Sequence, residues 1–180
     1  PYFLLCEGYM DVISLHQAGF TNAVASLGTA LTSQHASLLK RYTDEVILTY
    51  DSDEAGVKAA LRAIPLLKEA GIATRVLSML PYKDPDEFMK ALGADAFEER
   101  IKQSESSIMF QVRIASEDYN QQDPESRTQF QQEVVKIVAV LQDPLERDNY
   151  IEAISNQYFI DRKKLTDSVN RYGRYVTQQQ

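Results

Sequence analysis

The stretch EVILTYDSDEAG (45–56) decides the fold. Glu45 to Tyr50 is β-branched and apolar and is bounded by charge, which predicts a strand. It ends in Asp51-Ser52-Asp53, two acids two residues apart. A long helical pattern follows from about Glu54 to Ala70, with Gly71 as its stop.

Upstream the same order occurs twice. Phe3 to Cys6 is a short apolar run ending at Glu7-Gly8, and Met10 to Gln17 reads as a helix closed by Gly19. Ala23 to Ala25 is a second short strand, followed by a Ser-Leu-Gly loop. Thr32 is a good N-cap for a helix running to about Arg41. Downstream, Thr74 to Leu80 predicts a fourth strand. Strands alternating with helices indicate an α/β fold with a mostly parallel sheet flanked by helices.

After Pro81 the period changes. Pro85 to Leu92, Ala94 to Lys102, Ser106 to Tyr119, Glu125 to Leu141, Leu145 to Tyr158 and Asp161 to Tyr172 all fit a helix, and no further strand is expected. Breaks fall at Gln121-Gln122-Asp123-Pro124 and Asp143-Pro144. The expected organisation is an α/β domain over 1–102, an all-helical subdomain over 103–176 and a disordered polar tail over 177–180.

Parallel sheets place their sites where strands run out into loops. Three of the four expected exits carry acid pairs: Glu7 with Asp11, Asp51 with Asp53, and Asp84 with Asp86 in KDPDE (83–87). Each pair has an ordinary reading alone. Glu-Gly is a turn, Asp-x-Asp is a common surface pattern, and Asp84-Pro85 is a helix start. On one sheet edge, however, six carboxylates repel unless a cation joins them. Oxygen ligands with few histidines suit Mg²⁺ or Mn²⁺, which polarise phosphate oxygens. Gly8 and Gly56 are expected to let the backbone turn tightly beside this site.

These residues carry a resemblance. The spacing Glu7 … Asp51-x-Asp53 resembles the TOPRIM fold of topoisomerases, some nucleases and bacterial primases. EGYMDVI (7–13), SLGTALT (26–32), YDSDEAG (50–56) and KDPDE (83–87) together resemble bacterial DnaG-type DNA primases. DPLERDNYI (143–151) is similar to the helical segment that follows TOPRIM in that family. Ser52 stands where the family commonly has Gly, and little effect is expected of it.

The resemblance implies DNA-templated RNA primer synthesis by metal-assisted phosphoryl transfer, with NTPs, a single-stranded DNA template and the nascent RNA primer as partners. Glu7, Asp51 and Asp53 would be catalytic, and with Asp11, Asp84 and Asp86 would hold two or more ions. Lys83 and Lys58 would touch nucleotide phosphate. A replicative helicase would be contacted through a C-terminal domain lying outside this chain. The competing reading is a TOPRIM scaffold of the recombination-mediator type, binding without turnover. The KDPDE stretch and the helical tail argue against a third reading, a TOPRIM nuclease.

Composition sets the outer bounds. The 180 residues carry a formal net charge of −7, which by itself speaks against a generic nucleic-acid binder. Residues 1–102 hold 14 acidic side chains, and the six acids above account for much of that balance. One cysteine and two histidines exclude an intramolecular disulfide and a zinc-finger site. No apolar run approaches the ~18 residues of a membrane span. Without a leader-like start, the expectation is a cytoplasmic, monomeric piece of a longer polypeptide. His16, His35 and buried Cys6 are expected to pack rather than to ligate.

Overall fold

The computed structural model describes residues 1–26 and 28–180. Leu27, within the SLGTALT stretch, lies outside the described residues. The chain divides into two compact units, Pro1–Ser107 and Ile108–Gln180.

The first unit runs β1 (Phe3–Cys6), α1 (Tyr9–Gln17), β2 (Ala23–Ala25), α2 (Ser33–Lys40), β3 (Glu45–Leu48), α3 (Glu54–Glu69), β4 (Ala73–Val76), α4 (Pro85–Leu92), α5 (Ala94–Lys102) and β5 (Glu105–Ser106). The sheet order is β2-β1-β3-β4-β5. The first four strands are mutually parallel, and β5 is antiparallel to β4. From β1 the chain steps to β2 on one side; from β3 it steps to β4 on the other. Right-handed crossovers then require α1 and α3 on opposite faces of the sheet.

Alternation along the strands builds the core on those two faces. Leu4, Cys6 and Ile47 pack with Leu15 of α1, Phe88 of α4 and Phe97 of α5. Phe97 meets Phe20 and Phe88 edge to face at 5.2 and 5.6 Å, the favoured geometry for aromatic quadrupoles. Leu5, Val46 and Leu48 alternate with the first set and are buried on the other side of the sheet.

β1 and β2 have the predicted bounds, but β3 and β4 end earlier than the sequence predicts, because a strand lasts only while a partner runs beside it. Thr49 gives its N–H to the Leu5 carbonyl (2.9 Å), and then β3 leaves the sheet for Asp51. Leu77 bonds the Leu48 carbonyl (3.0 Å), and beyond it β3 is no longer alongside β4. The expectation of no strand after Pro81 is corrected by β5. It is two residues long, too short to show alternation, and it exists because Arg75 and Val76 offer it an open edge. Arg75 anchors the approach by donating Nε to Ser104 Oγ (3.0 Å).

Thr32 caps α2 as expected, and the structure adds His35 as its reciprocal partner. His16 Nε2 lies 2.9 Å from the Ala23 carbonyl and ties α1 to β2. Cys6 is fully buried beside Thr49, and burial pushes its thiol up to about 12.

In the second unit, α6 (Ser107–Glu117), α7 (Pro124–Ala139), α8 (Pro144–Tyr158) and α9 (Arg162–Gln178) surround a separate core of Phe130, Val134, Val138, Ile151, Ile154 and Leu165. Asp123, Asp143 and Asp161 cap α7, α8 and α9 with their side chains. Each such cap is worth ~1 kcal/mol. Helix α9 continues through Gln178, past the Thr177 at which the sequence reading starts a disordered tail. Among the described residues no helix is long and apolar enough to cross a membrane.

Gly56 makes one backbone junction possible. A Cβ there would sit 1.8 Å from the Asp51 carbonyl oxygen. Helix propensity alone favours Gly56→Ala by ~1 kcal/mol. The clash with a main-chain atom reverses that sign, so the substitution is expected to destabilise by ~2 kcal/mol in urea unfolding. A neutral or stabilising result would show that the Asp51 junction is free to move.

Candidate functional site

Strands β1 and β3 are adjacent, and the chain departs from them in opposite directions. Their C-terminal ends therefore form the switch point at which open α/β sheets bind ligands. Glu7 leaves β1 there and Asp51 follows β3. The Asp51 N–H donates to Glu7 Oε1 at 3.1 Å, so a main-chain bond joins the two exits.

Asp11 lies in the first turn of α1 and is only 8% exposed. Burial, and next the charge of Asp84, push it from 3.8 to about 6. Asp86 and Glu7 add to the rise, and a hydrogen bond from the Asp86 backbone opposes it. Asp51 also rises to about 6, by burial first and then by Glu7, Asp11, Asp84 and Asp53. Two carboxyls that respond to the same neighbours must share one electrostatic environment. Asp11 and Asp51 thus lie within electrostatic reach of Glu7, Asp53, Asp84 and Asp86.

Several of these acids also have local work. Asp53 caps α3 by accepting the Gly56 N–H (2.8 Å), and Asp84 caps α4 by accepting that of Glu87 (2.8 Å). Asp86 is the most committed. One oxygen accepts the Ser14 hydroxyl and the other accepts Lys90 Nζ at 2.9 Å, and together they hold its carboxyl below the usual range. Among the described residues, no three His, Cys, Asp or Glu side chains are grouped closely enough to hold an ion between them. The donors are nonetheless all carboxylate oxygen, and their mutual repulsion is what a hard divalent cation relieves.

The flanking cations separate. Lys83 Nζ stands 3.9 Å from Asp53 Oδ2, at the acid edge. Lys58 pairs with Glu54 at 2.9 Å on the exposed side of α3. The expectation for Gly8 is corrected. Its φ of −142° is ordinary extended backbone, and a Cβ there would meet nothing within 4 Å.

Sequence reasoning missed two residues. Ser14 lies one helical turn beyond Asp11, and that i, i+3 spacing on a buried face was the available signal. Ser52 carries more. Its N–H bonds the Lys83 carbonyl (2.8 Å), and its hydroxyl donates to the carbonyls of Tyr82 and Lys83. It fastens the Asp51–Asp53 loop to the loop that presents Asp84.

Sheet order, crossover pattern and acid edge define a TOPRIM domain. A family model described as Toprim-like matches residues 4–89, and one described as the DnaB-helicase binding domain of primase matches 108–162. The chain is 41% identical to the DNA primase of Clostridium acetobutylicum over 167 residues, which is 93% of this chain and 28% of that protein. Against the DNA primase of Listeria innocua it is 38% identical, over 86% of this chain and 25% of that protein. A solved DnaG primase catalytic domain bound to ssDNA superposes with a TM-score of 0.75 at 30% identity, covering 91% of this chain and 53% of that one. The chain belongs to the bacterial DnaG-type primases. It spans less than a third of the length of these two curated relatives.

The sequence reading assigns helicase contact to a domain beyond this chain, whereas the helicase-binding description falls on 108–162, within the helical unit.

Two measurements test the site. Because Asp11 and Asp51 titrate higher folded than unfolded, the unfolded chain releases their protons first as pH rises. Without divalent ions, their destabilising contribution is absent below about pH 4 and complete above about pH 6, so the melting temperature is expected to fall across that window. Asp51→Asn is expected to raise metal-free stability at neutral pH by ~1 kcal/mol, discounted for partial exposure. An unchanged or lowered stability would mean that the acids do not repel one another. Separately, Ser52→Ala is expected to cost ~1 kcal/mol and to speed amide exchange of the loop holding Tyr82 and Lys83. Unaltered exchange would assign the junction to the backbone bond alone.

Proposed function

We propose that the first unit is the nucleotidyl-transfer centre of a bacterial DNA primase, which extends an RNA primer on a single-stranded DNA template. The observation that carries this reading is the Asp51 N–H bonding Glu7 at the switch point of the sheet, where neighbouring acids also act on Asp11 and Asp51. Kinship with DNA primases supports it.

In this reading Glu7, Asp51 and Asp53 hold a Mg²⁺ or Mn²⁺ ion nearest the reacting atoms. Asp11 and Asp84 would help to hold a second. Asp86 orients Asp11 through its backbone N–H and joins as a ligand only by releasing Ser14 or Lys90. Held there, such ions would supply Lewis-acid activation of a hydroxyl nucleophile and charge neutralisation at phosphate. Lys83 places a cation where triphosphate oxygens would arrive. Lys58, already paired with Glu54, is a weaker candidate for phosphate. The helical unit is the proposed contact for the replicative helicase, on the strength of its family match. Such work takes place on replicating DNA in the cytoplasm.

A scaffold without turnover is the competing reading. Six acids at three strand exits favour catalysis, because assembly alone does not require mutually repelling carboxylates. Titration with Mn²⁺ separates the two. At about 100 times the dissociation constant, bound ion is expected to add ~2.7 kcal/mol of stability. Asp51→Asn combined with Asp53→Asn is expected to abolish that gain. If Mn²⁺ stabilises neither protein, the catalytic reading fails. In a templated assay this chain alone is expected to yield little or no primer, because it covers only part of its relatives. Near-full activity would show that the segment is self-sufficient.

A further inference from the structure

Helix α9 departs from the charge of the whole chain. Across Arg162–Gln178 it carries five basic residues against one acid, Asp167, while the chain as a whole is at −7. Its aromatic residues Tyr172 and Tyr175 lie one turn apart. The transfer chemistry proposed for the first unit uses none of this.

A groove of about 550 Å³ runs between α7 and α9. Its floor is aliphatic: Val135 from α7, Ile160 from the α8–α9 turn and Leu165 from α9. Its rim carries three cations, Lys136, Lys164 and Arg171, and none of the residues lining it is acidic. Lys136 is partly matched by Glu133 at 3.5 Å. Lys164 and Arg171 are exposed and make no ion pair among the described residues. Tyr175, 58% exposed, closes one end.

Next to Ile160 stands Phe159, the one described non-glycine residue with positive φ, at 55°. It is 83% exposed, and Arg127 Nη2 holds its carbonyl at 2.8 Å. A left-handed position usually goes to Gly or Asn. Here a large apolar side chain is held there and turned to solvent, next in the chain to the Ile160 that lines the groove.

We infer that the α7–α9 groove is a docking site for an acidic amphipathic helix of a partner protein. A branched aliphatic floor between two helices matches a ridge of Leu, Ile or Met at i, i+3, i+4 and i+7. The cationic rim matches carboxylates flanking that ridge. Nucleic acid shares the charge complementarity, and Tyr172 and Tyr175 also line the groove, but bases need a row of open aromatic faces, whereas the apolar floor here is Val135, Ile160 and Leu165. The inference stands on the chemistry of the groove. It depends on neither the metal reading nor the helicase match, so either can fail without it.

The test uses the 180-residue chain and three labelled probes in fluorescence anisotropy. One is a synthetic helix of about five turns with a Leu ridge and Glu flanks. The second has Lys in place of Glu, and the third is an oligothymidylate of similar length. The acidic helix is expected to bind, and at least about tenfold more tightly than the basic one. Lys164→Glu with Arg171→Glu is expected to weaken it about tenfold, and Tyr175→Ala severalfold. All these side chains are exposed, and melting temperatures confirm that the variants fold. Equal binding of the acidic and basic helices overturns the proposal. So does displacement of the acidic helix by the oligonucleotide, and so does absence of binding by all three probes.

Discussion

Glu7 accepting the N–H of Asp51 is the contact on which the first unit turns. It exists because β1 and β3 are parallel neighbours, with Leu5 beside Leu48, and so both run out at the same edge. Parallel pairing also forces the chain to travel back through a helix after each strand. Every exit then faces one side, and every acid placed just after a strand arrives there. A single antiparallel swap among the four long strands would send one acid pair to the opposite edge.

Such an edge is destabilising without a cation. Asp11 and Asp51 are pushed up to about 6 by burial first and by the neighbouring acids next. The surrounding structure holds them in place regardless. Asp53 and Asp84 are fixed as helix caps, Asp86 by Ser14 and Lys90, and the two loops by Ser52. Helix N-termini suit this role because their free N–H groups and dipoles stabilise negative charge. The fold thus uses its capping residues as the frame of the acid cluster, and Gly56 lets α3 begin directly against the Asp51 carbonyl.

Much of this was legible in the residues. The strand starts, the helix stops and the acid pairs are local features, written in apolar runs, Gly and Asp-Pro. Phe88 and Phe97 were readable as parts of helices, but that they meet each other over Leu4 and Ile47 was not. Strand ends were less legible, because Tyr50 and Leu80 suit a strand chemically and lack only a neighbour. β5 was invisible for the same reason, since two residues pair only because β4 has a free edge. Gly8 invited a conformational reading that its extended φ does not need.

The sequence by itself determined the class of fold, the six acids and the kinship with bacterial primases, because each is carried by residue type and short-range spacing. Only the tertiary structure decided what those residues touch. It placed Asp86 against Ser14 and Lys90, spent Lys58 on Glu54, and made Ser52 a tie between two loops. It also gathered Val135, Ile160 and Leu165 under a cationic rim. Residues far apart in the chain meet only when the sheet and helices pack. The partner of a side chain is set by that packing, and no local pattern records it.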